Sequence, residues 1–391
     1  VNTGSGQTVA IGDIGVVDGM MHIGDEAMFE EFLDQARARG AGDVVAISAN
    51  PSETAERYGI RSVPRLGLSG SRDEMLARAQ RILGGDLGTD DPARATVDAI
   101  STARRVVVTG AGNLASTWPV HIIERWAIAI LAERAGVPFI VTGQTLGPEL
   151  TAADAALLSE LLDTAALVGV REAASFRLAD TLGVPEELLA HNPDDASFLA
   201  LDRPTADTDA APHCLVSLST HVGSASRADV QSAVAALLDS IANSGLEIVF
   251  LAHFGPIAGE QRRGDVVMHD AVRERMTAPS RVEPTGSSTE AAWLARRAAL
   301  VVSSRYHPAV FAAASGVPTV GIPVDEYTTV KLTGALGTFG QSSLLPVDSL
   351  LAGTGTAVVE AARRHEPDRA TLTTARAQAE RWWDRVFATG A

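Results

Sequence analysis

Three segments carry residue types that can hold an anion and move a proton. The first is Val301-Val302-Ser303-Ser304-Arg305-Tyr306-His307-Pro308, where an apolar strand-like run gives way to an apolar helix at about Pro308. That order puts Arg305 and His307 at a helix N-terminus, where unpaired backbone amides and the macrodipole favour negative charge. Arginine grips a carboxylate or phosphate through two parallel N–H bonds, and histidine exchanges protons near neutral pH. The same order also suits a histidine that only caps its helix and an arginine paired with a surface carboxylate. Spacing alone leaves both readings open.

The second segment, Val168-Gly169-Val170-Arg171-Glu172-Ala173-Ala174-Ser175, repeats the strand, arginine, helix order. Arginines at strand ends in two domains could clamp one small dianion; alone, Arg171 reads more readily as a surface ion-pair residue for Glu172 or Asp180. The third, Gly19-Met20-Met21-His22-Ile23-Gly24-Asp25-Glu26-Ala27, is a glycine-punctuated turn entering a helix. Asp25 suits the N-cap, and it also suits a general base at a strand-to-helix turn, with His22 a weaker candidate beside it. Two further turns, Thr109 to Leu114 with Gly112 and Asn113, and Gly143-Gln144-Thr145-Leu146-Gly147-Pro148, would let backbone approach a ligand closely. Neither is a dinucleotide fingerprint or a Walker A loop. Lys331 is the single lysine among 32 basic residues, which marks a place where a compact ammonium is wanted.

Other chemistries find no pattern. The nine histidines are scattered without an H-E-x-x-H, and Asp194-Asp195 follows a loop proline, so no metal site is expected. No G-x-S-x-G nucleophile elbow occurs.

The elements that must position these residues alternate. Val9 to Val17, Val44 to Ser48, Val106 to Thr109, Phe139 to Thr142 and Leu167 to Val170 read as strands; Glu26 to Arg39, Arg72 to Leu83, Val120 to Ala135, Ala152 to Leu162 and Ala173 to Leu182 read as helices. This is the rhythm of a parallel sheet covered on both faces. It stops at the acidic, proline-bearing stretch 202–212 and resumes with strands at Cys214, Ile248, Leu300 and Thr319. The expected organisation is therefore an α/β protein with two tandem doubly wound, Rossmann-like domains. They comprise 1–201, a linker 202–212, a second domain 213–355, and a helical segment 356–391 whose Trp382 and Trp383 pack on a domain surface. At 391 residues, two cores are the natural expectation.

Composition bounds the partners. With 46% hydrophobic and 20% charged residues the chain can bury substantial cores. Its one cysteine, Cys214, reads as a core thiol and cannot form an internal disulfide. A net charge of −16 argues against nonspecific nucleic-acid binding and against adhesion to an anionic membrane. No stretch has the length and apolarity of a membrane span, and Val1 to Gly6 lacks a signal peptide's basic and apolar regions, so a cytoplasmic location is expected.

Taken in order, Gly24-Asp25-Glu26-Ala27, Gly110 to Gly112, Gly143-Gln144 with Gly147-Pro148, Arg171 with Ser175, and Arg305-x-His307 followed by Ala314-Ser315-Gly316-Val317-Pro318 resemble the polysaccharide pyruvyl transferase family. Ser48 to Arg65, with Asn50-Pro51, and Tyr327 to Gly337, with Lys331, extend the resemblance over about residues 9 to 340. Two departures stand out: the family usually has Asn before the Gly-Asp, where this chain has His22-Ile23, and a middle turn richer in glycine. The resemblance implies a fold similar to the two-domain glycosyltransferase type called GT-B. It also implies transfer of pyruvate from phosphoenolpyruvate to two hydroxyls of a sugar or lipid-linked oligosaccharide of the cell envelope, without metal or cofactor. Contact with a membrane-bound precursor would then be peripheral. On that footing Arg305, Arg171, Ser304 and Lys331 would bind the donor, His307 would be the acid and Asp25 the base. His22, Gly24, Gly112, Asn113, Gly143 and Gln144 would lie on the acceptor side, in the N-terminal domain. A nucleotide-sugar glycosyltransferase or a noncatalytic carbohydrate-binding protein on the same fold are the alternatives.

Overall fold

A computed structural model of the chain describes residues 6–201, 211–257 and 261–390. Val1 to Ser5 and residues 202–210 of the expected linker lie outside the described residues. The chain forms two compact units, one from Val1–Val17, Met28–Asp195 and Gln378–Ala391, the other from Asp18–Ala27 and Ala196–Ala377.

In the first unit a parallel sheet runs in the spatial order Arg61–Pro64, Val44–Ser48, Thr8–Ile11, Arg105–Val108, Phe139–Leu146, Ala165–Val170 and Leu189–His191, with Ala111–Leu114 added along Phe139–Leu146. Alternate residues of one strand enter different cores. Val9, Ile11, Val106 and Val108 pack in one cluster, whereas Ala10 and Val107 join Phe29, Phe32, Trp382 and Trp383 in another. Both faces being covered explains why the strands read as unbroken apolar runs rather than alternating ones. The first strand ends at Ile11, short of the expected Val17, because Gly12-Asp13 breaks it and Gly15 turns the chain at φ 104°.

The second unit has a five-stranded parallel sheet in the order Ser280–Glu283, Glu247–Leu251, His213–Ser217, Leu300–Ser303 and Thr319–Gly321. Strand order reverses about His213–Ser217, so the loops after it and after Leu300–Ser303 leave in opposite directions and open a crevice at their carboxyl ends. Cys214 is fully buried in this core, and its burial raises the thiol pKa.

Two features differ from the sequence expectation. The segment 18–27 belongs to the second unit, where Met20–His22 pairs antiparallel with Phe254–Pro256, rather than to an N-terminal domain 1–201. From there the helix Ile23–Ala38 continues into the first unit at Met28. The last helix, Arg369–Ala388, likewise serves both units: from Gln378 onward it belongs to the first. There Trp382 donates its Nε1–H to Thr142 Oγ1 (2.8 Å) and covers Gly169, where a Cβ would come within 2.4 Å of the indole. Among the described residues no helix is long and apolar enough to cross a membrane.

Candidate active site at the carboxyl end of the second sheet

The strand Leu300–Ser303 ends beside Ser217, with Ser303 and Ser217 in register across the crevice. Ser303 Oγ then shapes the turn, accepting the Arg305 N–H (3.0 Å) and donating to backbone carbonyls. Arg305 takes the N-cap position of the helix Tyr306–Ala313, one residue before the helix rather than within it, with extended φ and ψ and no side-chain cap bond. Pro308 falls in the first turn, where its missing N–H costs nothing. Ser304 Oγ accepts the Ser219 N–H at 2.8 Å, so its hydroxyl fixes the neighbouring loop.

A carboxylate that the sequence reading did not single out holds Arg305. Asp265 is fully buried and accepts from Arg305 Nε (2.9 Å) and Nη2, and from the Phe254 N–H (2.9 Å). Two of the three guanidinium nitrogens are fixed in a fork, and Nη1 makes no hydrogen bond to the described residues. The Phe254 bond ties the same carboxylate to the ribbon that carries His22. That ribbon also starts the helix: the Ile23 N–H donates to the His253 carbonyl at 2.9 Å.

His307 lies on the backbone of this segment. A Cβ on Gly24 would stand 1.9 Å from His307 Nδ1, so only glycine admits the ring there. Asp25, the third residue of the helix and not its N-cap, places Oδ2 2.9 Å from His22 Nδ1. Tyr306 meets His307 edge-on at 5.1 Å, and Lys331 Nζ lies 4.8 Å from the Tyr306 ring centre and donates to the Tyr327 hydroxyl (3.0 Å). Gly24 and His22, expected on the acceptor side of an N-terminal domain, and Asp25, the expected base, thus share one unit with Arg305, His307 and Lys331, with Gly24 directly against the His307 ring.

Two further histidines back the site. Burial pushes His253 down to about 3 and His269 down to about 4, so both are neutral at pH 7. His253 Nδ1 lies 3.1 Å from Ser217 Oγ, and His269 Nε2 accepts the Leu218 N–H at 2.9 Å. Neutral imidazoles beside the Asp265–Arg305 pair leave its charge balance undisturbed. The one signal in the sequence was place: Ser217 ends one apolar strand and His253 follows another, at the sheet edge where ligands bind.

Arg171 stands apart. It belongs to the first unit, is 1% exposed, and donates to Asp194 Oδ2 (2.6 Å), Glu172 Oε1 (3.2 Å) and Thr145 Oγ1 (2.9 Å). Its guanidinium neutralises carboxylates of its own unit. Gly143, at φ 57°, makes room for Asp195, whose Oδ2 would be 2.4 Å from a Cβ there. Gln144 is fully buried and donates to the Thr109 carbonyl (2.6 Å), a packing role. Gly112 lies in the strand Ala111–Leu114, and Asn113 donates to Asp13 Oδ2 at 3.3 Å.

Two Rossmann-like domains, the second with Arg305 and His307 beyond the end of a switch-point strand, define an α/β protein of the GT-B type. Solved structures match over nearly the whole chain. The UDP-GlcNAc 2-epimerase of Methanocaldococcus jannaschii has a TM-score of 0.63 at 10% identity, covering 98% of this chain and 99% of that one. The Neisseria meningitidis UDP-GlcNAc 2-epimerase scores 0.61 at 9% identity, covering 98% and 100%. An Anabaena protein solved with UDP-glucose scores 0.53 at 14% identity, covering 98% and 95%. At these identities the likeness is one of fold. A comparison with curated protein sequences returned no match. The family model described as polysaccharide pyruvyl transferase matches residues 22–326, and the chain belongs to that family.

Proposed function

We propose that the chain transfers pyruvate from phosphoenolpyruvate to two hydroxyls of a sugar in a cell-envelope glycan or its lipid-linked precursor, forming a cyclic ketal and releasing phosphate. The observation that best supports this reading is His307 seated on Gly24 next to Arg305, a proton carrier beside a forked cation at one strand end. Arg305, through Nη1, and Lys331 balance the donor's carboxylate and phosphate, which asks no metal for charge stabilisation. His307 delivers a proton to C3, and C2 becomes electrophilic. A sugar hydroxyl bonds to C2 as Asp25, coupled to His22, takes its proton. The C2–O bond to phosphate then breaks, and the second hydroxyl closes the ketal. Of the two hydroxyl protons, one replaces that delivered to C3 and the other leaves with phosphate. Cytoplasmic location and peripheral contact with a membrane-bound precursor accompany this reading.

The test is incubation with phosphoenolpyruvate and a panel of pyranosides and lipid-linked sugars, reading phosphate release and the mass gain of a ketal. Stoichiometric phosphate and ketal that disappear in His307→Ala support the reading. Turnover unchanged in His307→Ala, or phosphate release without any ketal, overturns it.

A further inference from the structure

Three parallel strands of the second unit, His213–Ser217, Leu300–Ser303 and Thr319–Gly321, lie side by side in that order, and Ser217, Ser303 and Gly321 share one register. Neighbouring strands stand about 4.8 Å apart, so the outer two are separated by about 10 Å, and the turn of Ser304 and Arg305 leaves between them. The loop after the first strand crosses that gap. The Ser219 N–H donates to Ser304 Oγ (2.8 Å), the His221 N–H donates to Ser219 Oγ (3.1 Å), and His221 Nε2 lies 2.9 Å from Oδ2 of Asp325, beyond the third strand. Gly223, at φ 66°, seats the far end of the loop, because a Cβ there would collide with the Val324 carbonyl. Held at Ser304 and again at Asp325, the loop arches over the end of the middle strand, and His221 stands over the turn that carries Arg305.

Asp325 divides its two oxygens. Oδ1 accepts the Thr328 N–H (2.7 Å) at the N-cap of the helix Glu326–Gly337, and Oδ2 faces His221. Burial would raise the Asp325 pKa, but the Thr328 N–H and hydroxyl and the His221 ring hold the carboxyl below its ordinary value. An ionised carboxylate only accepts, so His221 Nε2 carries a proton. Nδ1 then has no hydrogen bond to the described residues, on a side chain that is 59% exposed. Ser304 Oγ, which accepts from Ser219, keeps its own hydrogen without an acceptor among the described residues. The helix that Asp325 caps also carries Lys331, whose Nζ lies 4.8 Å from the Tyr306 ring centre, so one element sets both the His221 pair and the lysine beside the Arg305 turn.

Pyruvyl transfer needs two acids: one proton must reach C3, and another must reach the bridging oxygen as phosphate departs. His307 supplies the first. We propose that His221 supplies the second, with Asp325 as its positioning residue, an assignment that rests on the pyruvyl transfer proposed above. In the protonated ring Nδ1–H is the donor left over from Asp325. As the C2–O bond to phosphate breaks, the electron pair stays on the bridging oxygen, Nδ1 gives it the proton, and hydrogen phosphate leaves. The proton released by the second hydroxyl as the ketal closes restores the ring through water.

The experiment runs the full chain in D2O with phosphoenolpyruvate and the panel of pyranosides and lipid-linked sugars, reading phosphate release and, by mass spectrometry, deuterium at C3 of the recovered donor. Deuterium enters when the hydroxyl adds to C2 and the adduct reverts, before phosphate is lost. In His221→Gln phosphate release should fall about a hundredfold or more, while deuterium enters the donor at least as fast as with the parent chain. Asp325→Asn, which keeps the cap, should show the same split to a smaller degree. Unchanged phosphate release in His221→Gln overturns the assignment, and so does loss of exchange together with release, which would place His221 in donor binding or adduct formation. A parent chain that releases no phosphate with any acceptor of the panel overturns the transfer reading, and this assignment falls with it.

Discussion

The imidazole of His307 occupies the space where Gly24 would carry a Cβ, 1.9 Å from Nδ1 and 2.5 Å from Cε1. Gly24 lies in the first turn of a helix, where alanine would be favoured by about 1 kcal/mol. The ring's contact explains the glycine, and it isolates the site from the fold. Gly24→Ala should keep the melting temperature within a few degrees while displacing the ring, and an ångström of misplacement is enough for about a hundredfold loss in kcat/KM. A variant of normal activity would show that the imidazole need not sit there.

Asp265 fixes the fork of Arg305, so its removal should be felt by the donor rather than the acceptor. In Asp265→Asn the guanidinium loses its charged partner, and the dissociation constant for phosphoenolpyruvate should rise about tenfold or more, since one oriented charge-assisted hydrogen bond is worth roughly 1.5–3 kcal/mol. Calorimetry with the donor alone checks this. A drop in melting temperature with unchanged donor affinity would mark Asp265 as structural only.

How much of this was legible follows from where each residue takes its meaning. Arg305 and His307 end an apolar strand, and Lys331 is unique in the chain, so local order pointed to them. The ribbon of Met20–His22 and Phe254–Pro256 was not legible, because three-residue strands far apart in the chain show no periodicity. Without it Gly24 and Asp25 read as part of the N-terminal domain. Arg171 reads like Arg305 by pattern and differs by partner: Asp194 turns it inward, and only the packed structure reveals that the guanidinium is 1% exposed. Asp265 was invisible for the converse reason, a carboxylate without a local motif that gains its role from Arg305.

The buried histidines set an acid limit. Their folded pKa values, about 3 for His253 and about 4 for His269 and His121, lie below the unfolded value of about 6.5, and burial is the leading cause in each. As pH falls below about 6.5 the unfolded chain takes up protons that the folded chain refuses. Stability therefore declines, by about 2 kcal/mol per histidine at pH 5. Replacing His253 with Gln should reduce proton uptake on unfolding at pH 5 by about one, read from the pH dependence of urea midpoints. An unchanged slope would mean that His253 is protonated in the fold.

Asp195 works in the opposite direction. Its burial, with Asp194 adjacent, raises the carboxyl to about 8, against the partial relief of the Thr142 hydroxyl at 3.0 Å and Arg171. The folded chain then keeps a proton that the unfolded chain releases above about pH 4, so this group alone makes stability fall as pH rises from about 4 to 8. Asp195→Asn preserves the shape and removes the titration. Its melting temperature relative to the parent chain should climb steadily between pH 5 and pH 8. A constant offset across that window would place the Asp195 proton in solution, and the Arg171 cation would then have to balance both aspartates.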